Sequence, residues 1–206
     1  MRSAIILAGG KSTRMGEDKG LKKLDGRALI EHVIDRVIPQ VDEVLLVLGS
    51  EEQKTAYLNQ IGDSVRYVLD EYAENASLVG ALSGLKAARG KYALLTGCDM
   101  PFISSKAVSI LFDKAQGRNG ATFQWTNGWI EPLLAVYHVK SASIMAEKLY
   151  LSKEMRLRMI LYRLSDVNMV PMDELRKIDK DMLSFFDADT DDLYKKAEQL
   201  IKKGAG

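Results

Sequence analysis

Four short apolar runs punctuate the first half of the chain, at residues 4–8, 43–48, 65–69 and 92–96. Each is short and rich in Val, Leu or Ile, so each reads as a strand, the first of them buried. Between them lie helical patterns. Residues 28–38 place Leu29, Ile30, Val33, Ile34, Val37 and Ile38 on one face, and Pro39 stops the run. Residues 51–58 and 78–88 also read as helices, the second ending near Gly90. Strands alternating with helices at this spacing predict a mostly parallel sheet wrapped on both sides, a three-layer α/β/α architecture.

The middle of the chain changes character. Residues 121–126 and 129–137 are strand-like, and Asn127-Gly128 between them is a hairpin signal, which predicts a small antiparallel β insertion. Helices are expected at 141–150 and 154–164 and a last strand at 167–170. A closing helix at 190–202 has Asp191 and Asp192 in its first turn, where the helix dipole favours them. A length of 206 residues with no repeat or linker predicts one domain, 1–206.

Charge and cysteine content exclude several classes. The chain carries 29 basic against 28 acidic residues, so it lacks the basic excess of a nucleic-acid binder. The basic stretch 153–158 reads as a solvated helix face. A single cysteine, Cys98, rules out an intramolecular disulfide framework and a Cys-based zinc site. No apolar stretch approaches the roughly 20 residues of a membrane span, and no signal peptide is evident. The expectation is a cytoplasmic protein without membrane contact.

Residues 7–20, LAGGKSTRMGEDKG, follow the first strand directly. The Walker pattern fails, because Gly10 to Gly16 is spaced wrongly and no Gly-Lys-Ser/Thr starts at Gly16. The dinucleotide fingerprint fails, because Gly9 and Gly10 are adjacent and Gly16 lies too far on. What remains is a glycine turn that lets backbone N–H groups approach phosphate oxygens. Arg14 supplies a planar fork and Lys19 a point charge, a set suited to a triphosphate.

Acidic residues form the second signal. Asp99 follows the apolar strand Leu94-Leu95-Thr96 at the edge where parallel sheets bind ligands, and Pro101 turns the chain away. A lone carboxylate there suits Mg2+, which keeps several waters and takes one or two protein oxygens. Ser104 and Ser105 are better placed than Asp99 to cap the following helix. Asp70 ends the third strand, either to accept from nucleobase N–H groups or to start a turn. Asp187 and Asp189 offer a second metal ligand, or else belong to a helix N-cap. Cys98 reads as a small buried side chain, and His32 and His138 as structural or surface residues.

The blocks LAGGKSTRMGEDKGLKKLDGRALIEHVID, SLVGALSGL, LTGCDMPFIS, EPLLAVY and FFDADTDDL, in this order, resemble the molybdenum cofactor guanylyltransferases of the nucleotidyltransferase superfamily. The resemblance implies a Rossmann-like nucleotidyltransferase fold and transfer of GMP from GTP to molybdopterin, with release of pyrophosphate. It puts Leu7, Ala8, Gly9, Lys19, Asp70 and Asp99 on GTP and Asp99 on Mg2+, with Asp189 a further metal candidate. Arg14, Lys19 and Asp99 would carry catalysis. The implied partners are GTP, molybdopterin, and molybdoenzymes or cofactor-insertion proteins. Three departures stand out: Val47 where the family often has Asn, Val79 where it has Pro, and a closing Asp187-Ala188-Asp189-Thr190-Asp191-Asp192 without the proline. Other readings are cytidylyl transfer to molybdopterin, guanylyl transfer to a sugar or corrinoid phosphate, and a non-catalytic nucleotide-binding partner. Trp125 or Trp129 is a candidate to stack on the pterin, with core packing as the alternative.

Overall fold

The computed structural model describes residues 1–9, 18–70, 72, 74 and 76–204. Arg14 lies outside the described residues. Strands β1 (Arg2–Leu7), β4 (Glu43–Leu48), β5 (Arg66–Leu69) and β6 (Tyr92–Gly97) run parallel and alternate with α1 (Leu29–Val37), α2 (Glu51–Ile61) and α3 (Ser77–Ala87). Beyond β6 come α4 (Ser105–Ala115), β7 (Gly120–Gln124), β8 (Ile130–His138), α5 (Val139–Leu151) and α6 (Met159–Arg163). The chain closes with β9 (Val167–Pro171), α7 (Met172–Arg176) and α8 (Asp191–Lys202). The seven-stranded order is β5-β4-β1-β6-β8-β7-β9.

Alternation along β1 explains the layers. Ala4 and Ile6 face α1, α4 and Tyr57 of α2, whereas Ile5 packs with Leu78, Leu82 and Leu85 of α3 and Ala142 and Ala146 of α5. Both faces are covered, so the strands are apolar on both sides, as parallel sheets require. A third cluster joins Leu24, Leu29 and Phe102 to Ala188, Tyr194 and Ala197, which seats α8 outside the main sheet.

The hairpin predicted at Asn127-Gly128 forms, with Gly128 at φ +83° and Gly128 N–H donating to Trp125 O at 2.8 Å. It is built into the main sheet, where β8 runs antiparallel to both β6 and β7. A separate antiparallel pair, β2 (Lys23–Leu24) with β3 (Arg27–Ala28), was not anticipated. Its signal was in the sequence: Asp25-Gly26, both with positive φ, is a two-residue hairpin turn.

Two expectations need correction. The helix expected over 154–164 is helical only from Met159 to Arg163. Lys153 takes a left-handed conformation after α5, and the Glu154 carboxylate binds both the backbone and the guanidinium of Arg156, which holds this stretch out of helix. The basic stretch is therefore not a helix face. Trp125 is partly buried against Phe185, with ring centroids 5.7 Å apart, while Trp129 is exposed beneath the Arg158 guanidinium. Val47, the penultimate residue of β4, is buried against α3. Among the described residues, no helix is long and apolar enough to cross a membrane.

Close packing of α3 on the sheet depends on Gly84, whose place admits no side chain: a Cβ there would collide with Cγ2 of Ile5 and crowd Cγ2 of Val47. Both neighbours are β-branched and stiff. Gly84→Ala is expected to destabilise by about 1–3 kcal/mol, despite the better helix propensity of alanine. Urea denaturation checks this, and an unchanged or raised midpoint contradicts it.

Candidate nucleotide and metal site

Connections from β1 run to β4 and β5 on one side, and the chain then returns to β6 on the other. The sheet therefore has its switch point between β1 and β6, where open α/β sheets bind ligands outside the carboxyl ends. Lys19 follows β1 and Asp99 follows β6. Cys98 N–H donates to Leu7 O at 3.0 Å and ties the two strand ends together. Ala8 is held to β4 by its N–H on Val47 O at 2.9 Å. Gly9 is required by proximity, since a Cβ would lie 2.8 Å from Gly49 N.

The Lys19 ammonium, only 14% exposed, sits 2.7 Å from Asp99 Oδ2 and 3.7 Å from Asp187 Oδ1, and also contacts Asp189. Asp187 and Asp189 come from far along the chain, and the backbone explains their arrival. Ala188 N–H donates to the Asp99 carbonyl at 3.0 Å, and the Ala188 side chain is buried in the third cluster. In an extended segment alternate residues share a side, so burying Ala188 turns both neighbours toward Asp99. The segment is anchored downstream by Thr190, which caps α8, and by Tyr194, whose hydroxyl donates to Lys23 O. Asp191 and Asp192 belong to the first turn of α8, as expected.

Ligand atoms of Asp99, Asp187 and Asp189 lie within 4.8 Å of one another. Carboxylates this close repel by on the order of 3 kcal/mol per pair at an effective dielectric of about 20, before solvent screening. One lysine against three carboxylates leaves a formal charge of −2. Asp187 Oδ1 is buried without a hydrogen-bond partner among the described residues. An all-oxygen set, in which this buried oxygen has the Lys19 ammonium at 3.7 Å but no such hydrogen-bond partner, fits a hard divalent cation.

Glu131 adds a carboxylate that the sequence analysis did not single out. The antiparallel register ends with Leu95 on Ala135, and Glu131 lies four residues before Ala135 on β8, near enough to feel the Asp99 charge. Burial raises its pKa and the Asp99 charge adds to this, although Leu133 N–H donates to it at 3.0 Å. Its place was legible only from strand pairing.

Asp70 lies at the end of β5, away from this cluster. Its Oδ1 accepts from Ser83 Oγ at 3.0 Å and from Tyr72 N–H at 3.2 Å. Among the described residues both hydrogen bonds fall on one oxygen. Ser83 fixes this carboxylate and was also missed, although it lies in the block SLVGALSGL. Ser104 caps α4 by accepting from Ala107 N–H, which frees Asp99 from that task. Cys98 is buried and its thiol is pushed up by burial, so it is no nucleophile. His32 bonds Leu24 O and His138 caps α5, both structural tasks.

A doubly wound sheet with a glycine turn, a lysine and a carboxylate trio at its switch point defines the class of nucleotide-handling α/β transferases. The chain belongs to the family described as "MobA-like NTP transferase domain", whose model matches residues 4–167. Relatives agree over most of the length. A probable molybdenum cofactor guanylyltransferase of Methanosarcina acetivorans is 32% identical over 92% of this chain and 86% of its own. A molybdenum cofactor guanylyltransferase of Desulfosudis oleivorans is 29% identical over 98% and 96%. The crystal structure of molybdopterin-guanine dinucleotide biosynthesis protein A from Archaeoglobus fulgidus superposes with a TM-score of 0.82. It is 28% identical and covers 98% of this chain and all of its own.

Burial, followed by the charge of Asp99, raises the Asp187 pKa from 3.8 to about 6 against the opposing pull of Lys19. The folded chain thus keeps a proton there that the unfolded chain has released. Stability from this group is fully present below the unfolded value and is lost as pH rises toward the folded one. Urea denaturation of the metal-free protein should show this decline between those two pKa values. Asp187→Asn should flatten it, and an equal decline in the variant would contradict the assignment.

Proposed function

We propose that the chain is a molybdenum cofactor guanylyltransferase that moves GMP from GTP to the terminal phosphate of molybdopterin, releasing pyrophosphate. The observation that carries the reading is the Lys19 ammonium, 2.7 Å from Asp99 and enclosed by Asp187 and Asp189 at the sheet's switch point. The names of relatives matched over nearly the whole chain supply the acceptor and the base.

The acceptor phosphate is already ionised at neutral pH, so the reaction needs no general base. Its obstacle is the approach of two anions. Lys19 would hold the triphosphate and offset charge growing on the departing pyrophosphate, with Arg14 as a second cation on the same loop. Backbone N–H groups around Leu7, Ala8 and Gly9 would cradle the nucleotide. Asp99, with Asp189 and Asp187 beside it, would hold Mg2+, which supplies positive charge to phosphate oxygens when bound. Asp70 lies three strand spacings from β6, roughly 14 Å, which suits a nucleotide laid along the edge with its base at Asp70. Alignment of the two reactants then accounts for most of the remaining rate. The buried, unpaired Cys98 agrees with a reducing cytoplasm.

Release of pyrophosphate from GTP with molybdopterin as acceptor, compared with CTP, ATP and UTP, tests the reading. GTP should be preferred; a preference for CTP would replace guanylyl by cytidylyl transfer. Asp99→Asn should lower turnover by on the order of 10²-fold or more while thermal unfolding shows a folded protein, and retained turnover would remove Asp99 from the chemistry. Asp187→Asn and Asp189→Asn should each raise the Mg2+ concentration needed for half-maximal rate. If neither does, the second and third carboxylates are not metal ligands.

A further inference from the structure

A second polar network lies behind the lysine, and no step described above uses it. The Asp18 carboxylate accepts from Tyr57 Oη at 2.5 Å, from Gln53 Nε2 at 2.6 Å and from Gly20 N–H at 3.1 Å. Gln53 Oε1 in turn accepts from Gly49 N–H at 2.8 Å. Tyr57 is wholly buried, and burial raises its hydroxyl pKa far above the ordinary value, so it remains a donor. Among the described residues, Asp18 makes no ion pair within salt-bridge range. A half-buried carboxylate that takes three such donors, two of them side chains of one helix, is a costly way to fill space. A fully satisfied network of this kind fixes one conformation of the backbone that carries it.

That backbone is the approach to Lys19. Asp18 caps the single helical turn Lys19–Leu21 and precedes the lysine directly. A side chain on Gly20 would run into the Tyr57 hydroxyl, so this turn is pressed against α2. Gly9 lies against the backbone of Leu48 and Gly49, and Asp18 reaches Gly49 through Gln53. Gly9 and Asp18 are therefore both fixed at one place, the junction of β4 and α2.

We propose that Gln53 and Tyr57 are positioning residues for the triphosphate: through Asp18 they hold Lys19 in binding geometry. The proposal rests on the reading that Lys19 engages the phosphates of a nucleoside triphosphate. It needs no contact between α2 and the nucleotide. Spacing of i and i+4 puts Gln53 and Tyr57 on the same face of α2, and the Ser50 cap at Gln53 N–H fixes where that helix begins.

Tyr57→Phe keeps the ring and removes only the hydroxyl. Calorimetric titration of GTP and GMP, each with Mg2+, into wild type and variant separates the outcomes. GTP affinity should fall at least about tenfold, with a smaller loss for GMP, and steady-state KM for GTP should rise more than kcat falls. In a Lys19→Met background the further loss from Tyr57→Phe should nearly vanish, because the tyrosine acts through the lysine. Equal losses for GTP and GMP, or an undiminished loss in the Lys19→Met background, would overturn the proposal. So would unchanged GTP affinity with a lowered melting temperature, which marks a purely structural hydroxyl. Gln53→Met, at a half-buried position, provides the same readout if Tyr57→Phe does not fold. Failure of wild type to bind GTP would instead count against the nucleotide reading itself, and so is distinguishable.

Discussion

A single ammonium among three carboxylates is the interaction on which the carboxyl edge of this sheet depends. Lys19 offsets repulsion that Asp99, Asp187 and Asp189 could not sustain alone. It does so incompletely, and the residual negative charge suits the edge to a divalent cation. The same lysine is the cation best placed to meet phosphate oxygens among the described residues. On the proposed reading, competition for one side chain would couple metal, nucleotide and the acidic cluster.

The fold makes this meeting possible by returning distant segments to one place. Parallel strands put every strand-to-helix turn on the same edge, and reversal of connection direction between β1 and β6 opens a crevice there. The last segment is drawn in by one backbone hydrogen bond, Ala188 to Asp99, and by the apolar seat of α8 on Leu24, Leu29 and Phe102. The small β2–β3 hairpin is part of that seat. An element that looks peripheral therefore sets where two of the three carboxylates lie.

Local signals carried much of the architecture. Apolar runs gave β1, β4, β5 and β6, period-3.6 faces gave α1 and α3, and Asn127-Gly128 gave the hairpin. Errors fell where tertiary contacts outweigh local pattern. Residues 154–158 read as helix because their charges suit a helix surface, yet Glu154 turns back on Arg156. Trp125 and Trp129 look alike as hairpin neighbours, and only the arrival of Phe185 buries one of them.

The sequence by itself determined the doubly wound class, the positions of Asp99 and Asp70 just beyond strand ends, and the place of Lys19 in the connection that follows the first strand. These follow from periodicity and from residue chemistry next to it, both of which are local. Only the tertiary structure decided that Asp187, Asp189 and Glu131 join Asp99, and that Asp18 hangs from Gln53 and Tyr57. These contacts link residues tens of positions apart. They arise from strand pairing and burial, and nothing local specifies either one.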